Sequence, residues 1–200
     1  MFDNYKIPME YKSRVPSHWD DREETDKWQN FVYEQALTMS KEHNLSSILD
    51  VGCGSGFKLI KFFDNDNYTT TGIEVEPCLS FLKEKYPNKV WLQGDWKQPV
   101  KDHDLLICSD VIEHIVDPDE VLEFVRGCDS SVVVMSTPVR DNMGPPTNEC
   151  HAREWSLEEF QEYLNDRLPE YQWELTSQKI RSSLIELRRR SAILATGIKK

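Results

Sequence analysis

Two short stretches hold most of the residues that could do chemistry. In Asp110-Val111-Ile112-Glu113-His114, two carboxylates and an imidazole fall at i, i+3 and i+4, so a helical turn there would set all three on one face. Such a set suits a divalent ion, Mg²⁺ or Mn²⁺, with the imidazole tilting the choice toward Mn²⁺. It equally suits proton transfer, because a histidine with an ordinary pKa near 6.5 serves as a general base at neutral pH. His151, in a later loop-like stretch, could complete either arrangement. The competing reading is structural: caps, or buried histidines whose hydrogen bonds are satisfied.

The second stretch begins with the apolar run Ile48-Leu49-Asp50-Val51 and continues through Gly52-Cys53-Gly54-Ser55-Gly56. An amphipathic segment follows, with Phe57, Leu59, Ile60, Phe62 and Phe63 as its apolar face, and then Thr69-Thr70-Thr71-Gly72-Ile73-Glu74. Strand, glycine turn, helix, strand and terminal acid form the start of a nucleotide-cofactor site. Glycines permit positive φ and let backbone amides approach a ligand, and a helix opening at Ser55 and Gly56 aims its positive end at the same place. Glu74, 22 residues after Gly52, stands where a carboxylate accepts ribose hydroxyls. The third glycine falls one place early for G-x-G-x-x-G, with Phe57 in the expected position, which weighs against NAD. Asp50 decides further. A carboxylate there would repel a pyrophosphate and attract an ammonium, so the cofactor should carry a positive amine.

These groups need a scaffold that brings strand ends together. The apolar runs Lys89–Leu92, Asp104–Ser109 and Ser131–Ser136 are expected as further buried strands, the last ended by Thr137-Pro138. Between them, Pro77 should start a helix with Leu79, Leu82 and Tyr86 inward, and Pro118 one with Val121, Leu122, Phe124 and Val125 inward. Ser156 with Glu159 three residues on is a capping box for a helix to about Leu168. Tyr171–Ile180 and Ser191–Ile198 read as a closing pair of strands, joined through the solvated Arg188-Arg189-Arg190. Ahead of the glycine loop, Trp28, Phe31, Val32, Gln35, Ala36 and Met39 recur at three and four, predicting a helix over Arg22–Lys41. Residues 1–21 read as an arm whose aromatics serve either packing or enclosure of a substrate.

Composition sets the frame. Two hundred residues make one domain, residues 1–44 as arm and helix and 45–200 as the cofactor-binding core. A net charge of −11 makes nucleic acid an unexpected partner. Five scattered cysteines, with no C-x-x-C pair, read as thiols in a reducing compartment. With no signal segment and no run long enough for a membrane span, the expected location is the cytoplasm.

The run Asp50-Val51-Gly52-Cys53-Gly54-Ser55-Gly56, followed by a strand ending in Glu74, resembles motif I of the class I S-adenosylmethionine-dependent methyltransferases. The resemblance implies a doubly wound α/β, Rossmann-like sheet of seven strands in the order 3-2-1-4-5-7-6, strand 7 antiparallel, with an N-terminal helical lid. It implies S-adenosyl-L-methionine as cofactor, held by Asp50, Gly52, Cys53, Gly54, Gly56, Glu74 and Val75. Asp95 and Trp96 would take the adenine amino group and ring, and Ser109 and Asp110 would complete the site.

The pair Asp-x-x-Glu-His and His-x-x-Glu-Trp-Ser is similar to two branches of that superfamily. One contains quinone-biosynthesis O-methyltransferases and their small-molecule relatives, the other the enzymes that methylate the terminal 2′-hydroxyl of small RNAs with a bound metal. The leading expectation is methyl transfer to O, or N, of a small polar metabolite, a sugar derivative among the candidates, with His114, His151 and Glu113 as catalytic residues. The alternative is a metal-dependent 2′-O-methyltransferase for RNA ends, with Asp110, Glu113, His114 and His151 holding Mg²⁺ or Mn²⁺. A third reading, a non-catalytic protein that keeps the cofactor fold, conflicts with the intact Asp50, Gly52, Gly54, Glu74 and Asp95 set.

Overall fold

In a computed structural model, which describes residues 20–25, 28–140, 146–180 and 190–200, the apolar runs form the middle of one sheet. Its strands are β1 (Ser47–Val51), β2 (Thr69–Glu74), β3 (Val90–Gln93), β4 (Leu105–Ser109), β5 (Val132–Pro138), β6 (Tyr171–Ile180) and β7 (Arg190–Lys199), in the order β3-β2-β1-β4-β5-β7-β6. β1 to β5 run parallel, and β7 lies antiparallel between β5 and β6. This is the expected order and sense.

The central strands are apolar without interruption because helices cover both faces. Ile48, Leu105, Ile107, Val132 and Val134 point toward α1 (Asn30–Glu42), α2 (Phe57–Phe63) and α3 (Cys78–Lys85). Their neighbours Leu49, Leu106, Cys108, Val133 and Met135 point the other way, toward α4 (Pro118–Cys128) and α5 (Leu157–Arg167). Alternate residues thus feed two cores, each buried side chain contributing about 1.5–3 kcal/mol.

Caps set the helix ends. Asp117 accepts from the Asp119 N–H at 3.2 Å ahead of Pro118, and Ser156 and Glu159 form both halves of the capping box on α5. The expected helix over Arg22–Lys41 is shorter, starting at Asn30. Upstream, the Asp20 carboxylate takes the Arg22 N–H and guanidinium, and the Glu24 carbonyl accepts from the Ser55 hydroxyl, so local bonds and an anchor on the glycine loop replace the first helical turns. Helix α1 is a layer of the sandwich, burying Val32, Tyr33, Ala36 and Met39. The arm over residues 1–19, Gly144-Pro145 and Arg188-Arg189 lie outside the described residues. No helix among the described residues is long and apolar enough to cross a membrane.

Strand order reverses between β1 and β4, and a parallel sheet opens a crevice beyond the carboxyl ends of such a pair. Here it is a cavity of about 650 Å³.

Candidate active site

Three glycines shape the loop under the cavity, Gly52 and Gly54 in its wall and Gly56 behind them. Gly52, Gly54 and Gly56 have φ of 71°, 55° and 70°. A Cβ on Gly52 would stand 2.4 Å from Val111 Cγ2, and one on Gly56 2.6 Å from Leu82 Cδ2, so the loop could not lie this close with side chains. The Gly52 and Cys53 N–H groups donate to the Ile73 carbonyl at 2.9 and 3.2 Å, closing the loop on β2. Glu74 lies at the end of that strand. Its Oε2 accepts from the Gly54 N–H and its Oε1 from the Val75 N–H, both at 2.8 Å. Burial raises its pKa while these two donors pull it back.

Asp50 is fully buried beneath the loop. The Tyr33 hydroxyl donates to its Oδ2 at 2.9 Å, and its Oδ1 has no hydrogen-bond partner. Burial raises its pKa to about 7, against the pull of the Tyr33 bond and of Lys58 and with a push from Glu74. Tyr33 lines the cavity, and Asp50 lies behind it rather than in the wall. An oxygen without a partner below a cradle that a Cβ would fill fits a cofactor carrying an ammonium.

Cys53, Gly54, Val75 and Trp96 line the cavity, the last set edge-on against Phe124 at 5.5 Å. Gly56 and Asp95 do not. Gly56 serves as the left-handed entry to α2, and Asp95 turns back locally, accepting from the Lys97 N–H at 2.9 Å and the Gln98 amide at 2.7 Å. A short Asx turn is thus formed where an adenine contact is expected.

At the end of β4, Ser109 and Asp110 reach the wall. Asp110 has φ 52°, and only Ile112–His114 forms a 3₁₀ turn, so the expected common face of Asp110, Glu113 and His114 is broken. The Asp110 carboxylate takes the Ser136 hydroxyl and the Gln29 amide, the latter at 3.1 Å. What comes together is Glu113, His114 and His151, with one ligand atom from each within 4.8 Å of the others. Glu113 is fully buried, and among the described residues no well-aligned donor meets its carboxylate oxygens, its own backbone N–H and the Thr137 hydroxyl only pulling against the effect of burial. Burial first, and Asp110 second, push its pKa well above the carboxylate range.

The two imidazoles are held alike. His114 Nδ1 bonds the Cys150 carbonyl at 2.6 Å, and His151 Nδ1 bonds Glu154 Oε1 at 2.6 Å. An acceptor at Nδ1 fixes the proton there and makes Nε2 the lone-pair nitrogen, the orientation a metal ligand or a base requires. Nε2 of His114 lies 3.8 Å from Glu113 Oε1, and Nε2 of His151 accepts from the Asn148 amide at 2.9 Å. The rings meet edge-on at 5.1 Å. Backbone bonds bring them there: the Ala152 and Arg153 N–H groups donate to the Glu113 carbonyl at 2.7 and 3.2 Å, clasping the segment after β5 to the turn after β4. Burial is the first cause of a lowered His114 pKa, which keeps its imidazole neutral near pH 7. Two lone-pair nitrogens beside a buried carboxylate fit a divalent ion, with Asp110 outside the set.

Sequence reasoning missed Tyr33, Gln29, Asn148 and Glu154. Only Glu154 had a signal, its i+3 spacing from His151.

A family model described as a methyltransferase domain matches residues 19–184. Comparison with curated proteins gives no match. Among solved structures, the fold is similar to the methyltransferase domain of bacterial CtHen1, with 18% identity over 86% of this chain and 98% of that one at a TM-score of 0.63. It is also similar to the plantazolicin methyltransferase BamL bound to a triazolic desmethylPZN analog and SAH, with 16% identity over 90% and 87% of the two chains and a TM-score of 0.68. The magnesium protoporphyrin IX methyltransferase of Synechocystis PCC 6803, with bound SAH, gives 14%, 86%, 83% and 0.62. At these identities the likeness is one of fold. With the glycine cradle, Glu74 and the matched family model, the chain belongs to the methyltransferase-domain family and is a class I S-adenosylmethionine-dependent methyltransferase.

Proposed function

We propose that the enzyme methylates a hydroxyl oxygen of a small polar metabolite, and that Glu113, His114 and His151 face that acceptor. The observation carrying this reading is the cluster itself: two imidazoles with Nδ1 engaged and Nε2 the lone-pair nitrogen, around a buried carboxylate in the wall of the cofactor cavity. A hydroxyl is a poor nucleophile until its proton is taken, whereas an amine free base attacks without help, so a built proton-accepting site points to oxygen.

S-adenosylmethionine supplies an electrophilic methyl group on a sulfonium that departs as the neutral thioether. The acceptor oxygen forms its bond to the methyl carbon as the carbon–sulfur bond breaks, and the sulfur keeps the electron pair. The hydroxyl proton passes to His114 Nε2, neutral near pH 7, or to His151 Nε2 on displacement of the Asn148 amide. Glu154 then stabilises the imidazolium of His151 through Nδ1. Glu113, His114 and His151 would also hold Mg²⁺ or Mn²⁺, which would acidify a coordinated hydroxyl.

Electrostatics favours a neutral acceptor over a polyanion. Lys58 is the one lysine or arginine among the described lining residues, against Asp21, Glu24, Glu74, Glu76 and others. The same cluster would serve 2′-O-methylation of RNA ends, yet an RNA needs cations along its phosphates. The test is a radiolabelled methyl-transfer assay with polyhydroxylated small molecules and with RNA oligonucleotides, with and without Mn²⁺. Transfer to the small acceptors, lost in His114→Ala and His151→Ala, is expected. Transfer to RNA termini alone, or to amines alone, would overturn the reading. Titration of Mn²⁺ into the protein saturated with S-adenosylhomocysteine, beside His151→Ala, separates metal assistance from a metal-free base.

A further inference from the structure

The acid at the end of β1 cannot reach the cofactor by itself. Asp50 is 0% exposed and absent from the cavity wall, while Tyr33, across its hydrogen bond, stands in that wall. We infer that the positively charged amino-acid end of the cofactor is recognised through Tyr33, whose hydroxyl carries the charge of the buried Asp50 to the cavity.

The chemistry follows from what a phenol can do. Its single O–H donates to Asp50 Oδ2 at 2.9 Å, leaving the oxygen lone pairs to accept. Donation to a carboxylate in a low-dielectric interior polarises the phenol and makes its oxygen a stronger acceptor for an ammonium. Helix α1 repeats the device. Gln29, one turn before Tyr33, also lines the cavity and donates to the other strand-end carboxylate, Asp110, at 3.1 Å. Both acids at the switch point are therefore met from above by α1, an element outside the glycine motif. Two groups in the wall could not do what Tyr33 does: Glu74 is turned to the Gly54 and Val75 amides, and Lys58 would repel an ammonium.

The inference concerns the cofactor alone and stands apart from the identity of the acceptor. Its test is calorimetric binding to the full chain of two ligands, S-adenosylhomocysteine and 5′-methylthioadenosine, the second sharing the nucleoside and thioether but lacking the amino-acid end. Tyr33→Phe removes one oxygen and keeps the ring. It is expected to weaken S-adenosylhomocysteine about tenfold or more, the usual value of a hydrogen bond to a charged group, and to leave methylthioadenosine within about twofold. Asp50→Asn should show the same selectivity, and the double variant should lose less than the product of the two single losses, because both act on one bond chain. Equal weakening of the two ligands would assign Tyr33 a structural role and overturn the inference. So would a loss under about threefold for S-adenosylhomocysteine in Tyr33→Phe.

Discussion

Asp50→Asn separates what folding prefers from what the cofactor requires. In the wild type, burial lifts the Asp50 pKa from an ordinary 3.8 to about 7. Between those values the folded chain holds a proton that the unfolded chain has released, so this residue's contribution to stability is complete below about pH 4 and is lost as pH rises through about 7. From pH 5 to pH 8 the loss runs over about two pH units at about 1.4 kcal/mol each, or about 3 kcal/mol. Asparagine accepts the Tyr33 hydroxyl and never ionises, so it escapes this loss. The groups around Asp50, namely Tyr33 on α1, Lys58 on α2, Cys53 in the loop and Glu74 on β2, are common to both proteins and largely cancel in the comparison. The assay is thermal unfolding without cofactor at pH 5 and pH 8. At about 2–4 °C per kcal/mol for a chain of this size, the difference in Tm should move by about 6–12 °C in favour of the variant on going to pH 8. S-adenosylhomocysteine should then restore the wild type's advantage, since only it binds the ligand well. A difference in Tm that is the same at both pH values, or that moves the other way, would refute the account of Asp50 as a carboxylate held against its own desolvation.

Three other perturbations have defined outcomes. Glu154→Gln weakens the hold on His151 Nδ1, and steady-state kinetics should show kcat lowered about 10–100-fold with the KM for cofactor unchanged. Gly72→Ala places a Cβ 2.4 and 2.5 Å from the Trp91 ring and 2.8 Å from Cys53 Sγ, where neighbours on every side resist movement, and urea unfolding should register a loss of about 1–3 kcal/mol. Ser156→Ala deletes half of the capping box, outside the cavity lining, and should cost about 1 kcal/mol, read as a Tm lower by about 2–4 °C, with S-adenosylhomocysteine affinity intact.

The fold was legible because its central signals are local. An apolar run, three glycines and an acid at the end of the next strand each have one mechanical reading, and they agree on a parallel sheet with a ligand at its carboxyl edge. That Glu113, His114 and His151 stand together was also legible, because a turn after β4 and a loop after β5 both open at the carboxyl edge of the sheet. Finer geometry between elements was not legible. Asp110 looks like the first residue of a helical face, and only its positive φ, with Gln29 and Ser136 drawn to its carboxylate, takes it out of the cluster. Asp95 has the sequence of an adenine contact and the conformation of a turn. Tyr33 sits in an apolar helical stripe, where an aromatic reads as packing; what distinguishes it is a hydroxyl aimed at an acid 17 residues away. The start of α1 failed in a similar way, because the bond from Ser55 to the Glu24 carbonyl is tertiary and leaves no periodicity behind.

These long-range bonds divide the labour of the site. The glycine loop is closed on β2 by main-chain bonds from Gly52 and Cys53 to Ile73, which no side-chain substitution removes, and the Glu74 carboxylate adds a side-chain tie to the Gly54 and Val75 amides. The reacting end is set differently. His151 is brought to His114 by the bonds from Ala152 and Arg153 to the Glu113 carbonyl and by the bond from His114 Nδ1 to the Cys150 carbonyl, with the Glu113 carboxylate beside both rings. Glu113 therefore positions the histidines through its main chain, and in the proposed reaction its side chain faces the acceptor. Glu113→Gln should spare the first role and remove the second, whereas changes in the clasped segment should remove both. The clasped segment is itself anchored, with Ala152, Arg153 and Trp155 buried and the Arg153 guanidinium donating to the Val116 carbonyl at 3.2 Å, so a change there is expected to cost stability as well as activity, whereas Glu113→Gln is expected to cost activity alone.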